Sequence, residues 1–471
     1  MRFPPMPYMD RVIGDQPWSL IPYINARVSQ RDQVVKKKYI FQADNTFRLY
    51  NGVSSLIQDP ASASPARYNV PIFNTTFDTL SASDVWAAQV KTMTDALSAN
   101  FLDGFNLLMQ YDSMSVRDFL LTNGFANSEI DWMETMNDAT GHYDMYSMSQ
   151  AVLEQWIFDS ADINNWSLIN GGCDMLTKGM NLVIKNKPVL HNRVTDIGKN
   201  TDGTLKVVVN HTQEFNYAHV ISTVPLGALQ IINTTSLDLS YFQDTAIRML
   251  NYDPAGKIGM KFKTRWWEHL PTGPFQGGQS FTDLPIRRCV YPSYGIDVPG
   301  APGTMIASYT WGQDASRLGS YLNPHNTGTQ APFQPESVDV MVDFTLRDLA
   351  ELNGVSYEFV KEQFVGYHAY DWYGSAYSDG AFAIFGPGDF SSLMPWLMTP
   401  AADGHMHFAG EALSSGHAWI IGAVNSAWRT VFEILSTEGL EDKKKEFIEM
   451  WGVIDEVDMG WYDWSPDGWT A

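Results

Sequence analysis

The stretch HFAGEALSSGHAWIIGAV, residues 407–424, constrains this chain more than any other. A short apolar run ends in Gly410-Glu411, a loop of small residues follows, and an apolar helical run begins near Trp419 to Ile420. Three glycines and two serines here leave little volume for core packing, and they let backbone come close to a neighbour. Free amides at a helix N-terminus stabilise a carbonyl oxygen or an anion. A carboxylate such as Glu411 can accept hydrogen bonds from the hydroxyls of a sugar chain. Read alone, the stretch is either a cradle for something flat and phosphorylated or a tight strand-to-helix connection.

The rest of the chain excludes several kinds of function. Its 471 residues, 44% of them hydrophobic, suffice for two or more domains with large cores. A net charge of -22, from 53 acidic and 31 basic side chains, leaves no basic footprint for nucleic acid. It also repels an anionic membrane surface, and no run approaches the ~18 to 20 apolar residues of a spanning helix. The opening MRFPPMPYMDRVIGD is not the apolar core of a signal peptide. Cys173 and Cys289 are the only cysteines, too few for a disulfide framework or a four-cysteine metal site, and no metal is expected. Asn-x-Ser/Thr sequons at Asn74, Asn165, Asn210 and Asn233 point to a secreted or vesicular glycoprotein.

Periodicity divides the chain. Residues 1 to about 75, rich in Pro, Tyr and Asn, read as loops with short helices. Helical spacing then runs to about Trp166, with Ser81 or Ser83 as N-cap. The segment from 182 to 225 alternates β-branched runs with turn dipeptides and reads as strands, as do KIGMKFKTRWWEHL and TMIASYTWG. ESVDVMVDFTLRDLAELNG reads as an amphipathic helix with Gly354 just past its end. AFAIFG and MHFAG are short strands ahead of a final helix, IIGAVNSAWRTVFEIL.

Four more stretches belong with the first: INGGCDMLTKGM (169–180), VLHNRVTDI (189–197), HVISTVPLGALQ (219–230) and DWYGSAYSDGAFAIFGPG (371–388). In order and spacing, from about 165 to 435, they resemble the FAD-dependent amine oxidases, most closely the L-amino acid oxidase branch. The resemblance implies a mixed α/β (α+β) fold: an FAD-binding Rossmann-like domain completed by a partner chain, a substrate-binding domain with a mixed sheet, and a helical domain. Residues 1–75 would lead into the substrate domain and carry the carboxylate-binding arginine, and 76–166 would be the helical domain. Residues 167–230 would supply FAD-binding strands, 231–370 the substrate-binding domain, 371–440 the return to FAD, and 441–471 an acidic, Trp-rich tail.

By the same resemblance Val194 lies against adenine, and Gly410 and Glu411 meet the ribityl or ribose side. Ala418, Trp419 and Ile420, with Ala423 behind them, face the isoalloxazine, and Trp372 walls the site. Core packing is the competing reading for the tryptophans. PAGKIGMKF (254–262) resembles the strand with a lysine near the flavin; that residue is Lys257, with Lys261 the alternative. A lysine in an apolar strand is costly unless hydrogen-bonded. Met1-Arg2-Phe3-Pro4 resembles a Met-Arg-x-Pro segment whose arginine forks onto the substrate carboxylate; otherwise Arg2 is a solvated terminal residue. Tyr309, in MIASYTWG, would make a second carboxylate contact, with Tyr291 a weaker candidate. Ala381 and Phe382 would line the side-chain pocket, Ala418 would lie near the substrate amine, and Trp156 and Phe158 would close it. Asp138, Asp144 and Asp253 could take a cationic side chain, but in a chain this acidic they read better as solvated surface.

The family's Gly-x-Gly-x-x-Gly fingerprint is absent from the 471 residues. The expectation is a separate N-terminal chain carrying that loop, or else that these residues are a piece of a longer polypeptide that carries it, with the complete unit a homodimer. The implied activity is oxidative deamination of an L-amino acid with O2, giving a 2-oxo acid, ammonia and hydrogen peroxide. The alternatives are an amine or polyamine oxidase of the same fold, and a non-catalytic oxidase-like binding subunit.

Overall fold

The computed structural model describes residues 2–4, 9–59, 63–72, 79–159, 164–296, 298–300, 302–322 and 335–458. Asn74 and the end of the tail, 459–471, lie outside them. The helical block is present as Ala82–Ala99, Phe101–Met109, Val116–Thr122, Asn127–Asn137, His142–Met145 and Met148–Asp159. Its boundaries follow local chemistry. Ser81 precedes the first helix, although its side chain makes no capping bond. Ser115 closes a capping box, accepting from the amide of Asp118 while the Asp118 carboxylate accepts from the amide of Ser115. The apolar faces, including Val90, Leu97, Phe105, Leu120 and Val152, pack into one core with Phe385, Phe390 and Phe408 of the C-terminal third.

One sheet has seven strands. Its spatial order is Phe364–Asp371, Ala255–Phe262, Gly303–Trp311, Arg288–Val290, Gln279–Thr282, Phe47–Tyr50 and Val53–Leu56. All neighbours are antiparallel except Gln279–Thr282 beside Phe47–Tyr50. The lead-in segment, read from sequence as loops and short helices, therefore gives two strands to this sheet. Behind it Ile258, Met260, Phe262, Trp267 and Phe275 form a second core under helix Pro335–Leu352. Strand Phe364–Asp371 escaped the sequence reading because FVGYHAYD half-exposes both faces and does not alternate cleanly.

The remaining sheets are smaller. Val220–Ser222 and Met406–Phe408 pair in parallel, Met406 opposite Val220. Val194–Lys199, Leu205–Val209 and Gln213–Tyr217 form an antiparallel meander. Its second turn carries Asn210 and His211 at φ 51° and 61°, the left-handed pair that a tight hairpin demands. Helix Ile420–Thr437 leaves the loop after Met406–Phe408, and helix Glu441–Trp451 folds back so that Trp451 packs on Tyr23 at 4.8 Å. No described helix is long and apolar enough to cross a membrane.

Candidate active site

A cavity of about 720 Å³ lies where the seven-stranded sheet, the helical block and the 407–424 loop meet. Strand pairing puts residues far apart in sequence on one wall. Lys257 stands opposite Tyr309 in the ladder, with its ammonium 4.2 Å from the Tyr309 ring centre and 5.1 Å from that of Trp372. The lysine expected from sequence is thus held over aromatic faces at the cavity, whereas Lys261 on the same strand is solvent-exposed.

Arg2 enters from the side. Phe3 and Ser167 exchange two backbone hydrogen bonds of 2.9 Å, adding an isolated bridge beside the pair Lys36–Lys38 and Ser167–Ile169. That bridge fixes Arg2 over Phe41 at 4.9 Å and Trp166 at 5.6 Å, with Nη1 donating to Gln279 at 3.3 Å. Arg2 lines the cavity and is not a solvated terminus.

The sequence reading passed over a second arginine. Arg288 is stacked between Phe281 at 5.0 Å and Trp311 at 4.5 Å, and no ion pair of its guanidinium occurs among the described residues. Burial, then the proximity of Arg2, pulls its pKa down to about 10. A half-buried guanidinium with no ion pair among the described residues, and only the more distant charge of Asp138 to offset it, can take an anion from the cavity. The signal was the doubled arginine of DLPIRRCV in a β-branched run, where one of the two must face inward.

On the helical wall His142, 1% exposed, bridges two carboxylates. Its Nδ1 donates to Asp138 at 2.5 Å and its Nε2 to Asp253 at 3.2 Å. Burial disfavours the imidazolium, but the two aspartates outweigh it and raise the pKa to about 10. Asp253 is not solvated surface: it is fully buried and also accepts from the amide of Gly312 at 3.1 Å. Asp138 lies on the cavity wall, and only Asp144 is an exposed surface acid, paired with Arg117 at 2.7 Å. Nearby Glu154 also lines the cavity, with burial first and Asp138 second raising its pKa to about 7.

The 407–424 loop closes the third side. Glu411 accepts from the amides of Ala383 at 2.9 Å and Ala418 at 2.7 Å, which pins the loop to strand Phe382–Ala383. The second bond holds Ala418 at φ 66°. Ala418, Trp419 and Ile420 then face the cavity, and Trp419 leaves the helix that follows without a side-chain cap. Burial lifts the Glu411 pKa to about 7, above its ordinary value. Folding therefore favours its protonated form, so stability falls as pH climbs from the ordinary carboxyl range through about 7. Glu411→Gln is expected to flatten that slope in denaturant titrations, while Glu411→Ala orphans two amides at about 1–3 kcal/mol each.

Some expected residues lie elsewhere. Tyr291 reaches the cavity, but its hydroxyl donates to Asn353 at 2.6 Å and meets Ser280 at 3.1 Å inside the second core, so it is not free for a carboxylate. Phe158 lines the wall, whereas Trp156 turns its indole N–H to Ser98 at 3.0 Å. Phe382 lines the cavity; Ala381, Val194, Trp372, Gly410, Glu411 and Ala423 do not, Trp372 lying behind Lys257, and Ala423 is exposed. Ala381 instead donates to the Asp253 carbonyl at 2.9 Å, and Gly410, at φ 141°, donates to Ser426 at 2.9 Å.

A model of the flavin containing amine oxidoreductases matches residues 30–435. The chain belongs to that family. It is 35% identical over 486 aligned positions to a Dictyostelium discoideum protein named as a bifunctional amine oxidase, covering 97% of this chain and 43% of that protein. It is 34% identical to L-amino-acid oxidase 4 of Hebeloma cylindrosporum, covering 91% of this chain and 71% of that one. The chain thus spans less than half the length of the first relative. In fold it resembles a solved putrescine oxidase (TM-score 0.66, 15% identity, 92% of this chain and 87% of the other). A cyclohexylamine oxidase from Brevibacterium oxydans is similar at TM-score 0.62 and 13% identity, over 90% of this chain and 86% of that one.

The family's cofactor is a flavin, FAD, and the residues present suit it. The helix at Ile420 has an uncapped N-terminus. Among the described residues Ser222 Oγ, on strand Val220–Ser222, and Asn425 Oδ1, on helix Ile420–Thr437, are buried polar atoms without a hydrogen-bond partner. A buried polar atom of that kind calls for a polar group to meet it.

Proposed function

We propose that this chain forms the substrate-binding half and the isoalloxazine-facing loop of an L-amino acid oxidase. The observation that carries the reading is the arginine wall of the cavity: Arg2, fixed by the Phe3–Ser167 bridge, and Arg288, with no ion pair among the described residues, line it together with Tyr309. A simple amine has no group for such a wall. Arg2 and Tyr309 would bind the α-carboxylate, and Phe382 with Phe158 would pack the side chain. Ala418, Trp419 and Ile420, with Lys257 and Trp372 opposite and Glu411 bracing the loop, would face the flavin. When bound, the flavin would supply the acceptor for a hydride equivalent from the substrate α-carbon and a route for its electrons to oxygen. The chain's own residues position that α-carbon and exclude water; products would be a 2-oxo acid, ammonia and hydrogen peroxide.

Val194 and Gly410 would serve the adenine and ribityl side of FAD, with the glycine fingerprint supplied by polypeptide outside these 471 residues, for which a separate N-terminal chain is our reading. A homodimer of the complete unit, and glycosylation at the exposed Asn165, Asn210 and Asn233 in a secreted protein, complete it.

The amine or polyamine oxidase reading draws on the carboxyls of Glu154 and Asp138, which line the same cavity. Anaerobic addition of L-amino acids, D-amino acids and simple amines to the flavin-loaded protein separates the two. Bleaching of the flavin band by L-amino acids alone supports the proposal, and bleaching by amines alone overturns it. Arg288→Leu tests the second guanidinium. The expected result is a KM for amino acids raised at least tenfold, consistent with the loss of about 1.5–3 kcal/mol for a hydrogen bond to a charged group.

A further inference from the structure

The parallel strands Val220–Ser222 and Met406–Phe408 have a second end, away from Gly410 and Glu411. His219 precedes one strand and His405 the other, and helix Ile420–Thr437 runs from the cavity to this end, where Glu438 follows it. One candidate donor atom each from His219, His405 and Glu438 lie within 4.8 Å of one another. The His219 and His405 ring centres are 4.8 Å apart, and His219 Nε2 is 2.8 Å from Glu438 Oε1.

The other ring nitrogens fix which atoms remain free. His405 Nδ1 donates to the Ala218 carbonyl at 2.9 Å, which leaves the Nε2 lone pair. His407, fully buried between the two strands, has Nδ1 2.9 Å from Glu433 Oε2, and Glu433 Oε1 is held by Arg429 at 2.5 Å. His407 therefore donates through Nδ1, and its Nε2 accepts from His219 Nδ1 at 3.2 Å. That chain leaves His219 Nε2 as a lone pair facing a carboxylate oxygen, two acceptors in contact. Such a contact is stable only with a metal cation or a proton bridging it.

We infer that His219, His405 and Glu438 bind a divalent cation, with His407 and Glu433 orienting the ligands from behind. Two imidazoles and one carboxylate are a zinc donor set with a fourth position open to water. Backing of a ligand histidine by a carbonyl or a second polar partner is what such sites use to fix the ring. Glu438 is 44% exposed, so the ion has a path in, and the C-terminal end of helix Ile420–Thr437 adds a partial negative charge. A bound ion would clamp that end of the helix to both strands.

The test is titration of the chelator-treated, flavin-loaded protein with Zn2+ by calorimetry, and with Co2+ by ligand-field absorption. One saturable equivalent, a tetrahedral Co2+ spectrum and a raised Tm are expected. His219→Gln and His405→Gln should abolish uptake without lowering the Tm of the metal-free protein, and His407→Asn should weaken it by roughly 10- to 100-fold. His368→Ala, on the exposed face of Phe364–Asp371, should bind as the parent does. Absence of saturable Zn2+ uptake would overturn the inference, since a proton alone would then bridge His219 and Glu438. Unchanged uptake in both glutamine variants would overturn it equally.

Discussion

Arg2→Leu is expected to lower kcat/KM for L-amino acids by roughly 30- to several-thousand-fold, almost entirely through KM. The figure follows from the 2–5 kcal/mol that truncating one partner of a buried charge pair costs. The side chain is pre-positioned: Phe41 and Trp166 hold the guanidinium plane, Gln279 takes one N–H, and the Phe3–Ser167 bridge anchors the backbone one residue away. Little entropy remains to be lost on binding, so most of the contact energy reaches the substrate. Arg2→Lys should recover only a fraction, because an ammonium cannot fork onto two oxygens. Steady-state kinetics on an L-amino acid and its decarboxylated amine decides the matter. The amine's constants should not move. Equal KM values for the amino acid in parent and variant would sink the clamp assignment and pass it to Arg288.

The second large effect concerns stability. Asp253→Asn removes the buried charge that faces His142 and weakens the tie to Gly312 at the start of helix Gly312–Leu322. Breaking a buried ion pair from one side costs about 3–5 kcal/mol, because the remaining charge keeps its desolvation penalty. The pH dependence carries the sign. The folded pKa of His142 is about 10, above its unfolded value, so its contribution is fully present below the unfolded pKa and is lost as pH rises through about 10. Urea unfolding between pH 6 and 10 should show parent stability falling, with the His142→Gln variant less stable at pH 6 and flatter across the range. A parallel pair of curves would mean that His142 is neutral in the fold.

Much of the cofactor side was legible from residues alone, because it rests on backbone. Strand, small-residue loop and helix at 406–437 follow from apolar runs, glycines and an uncapped helix start, all local properties. Lys257 was legible too: a charged residue in an apolar strand has few places to go. Other features depend on pairing across the chain. Nothing near FRLYNGVSSL says that it joins a sheet whose other strands lie more than 200 residues on. Trp156 and Phe158 lie two residues apart on one helix, and only the packing of that helix against its neighbours turns Trp156 to Ser98 and Phe158 to the cavity.

Charge was the least readable property. Asp138, Asp144 and Asp253 are equivalent in sequence, yet one lines the cavity, one is surface and one has no exposure at all. Burial of an acid depends on whether a partner arrives from another element, and His142 is 111 positions from Asp253. Arg288 is hidden for the same reason: its neighbours Phe281 and Trp311 come from adjacent strands. The sequence by itself determined most of the elements and the family resemblance, since local dihedral preferences and short-range spacing specify them. Only the tertiary structure decided which charges are buried, which meet in the cavity and which histidines converge on Glu438. Desolvation and Coulomb energies depend on distances through space that the order of residues does not contain.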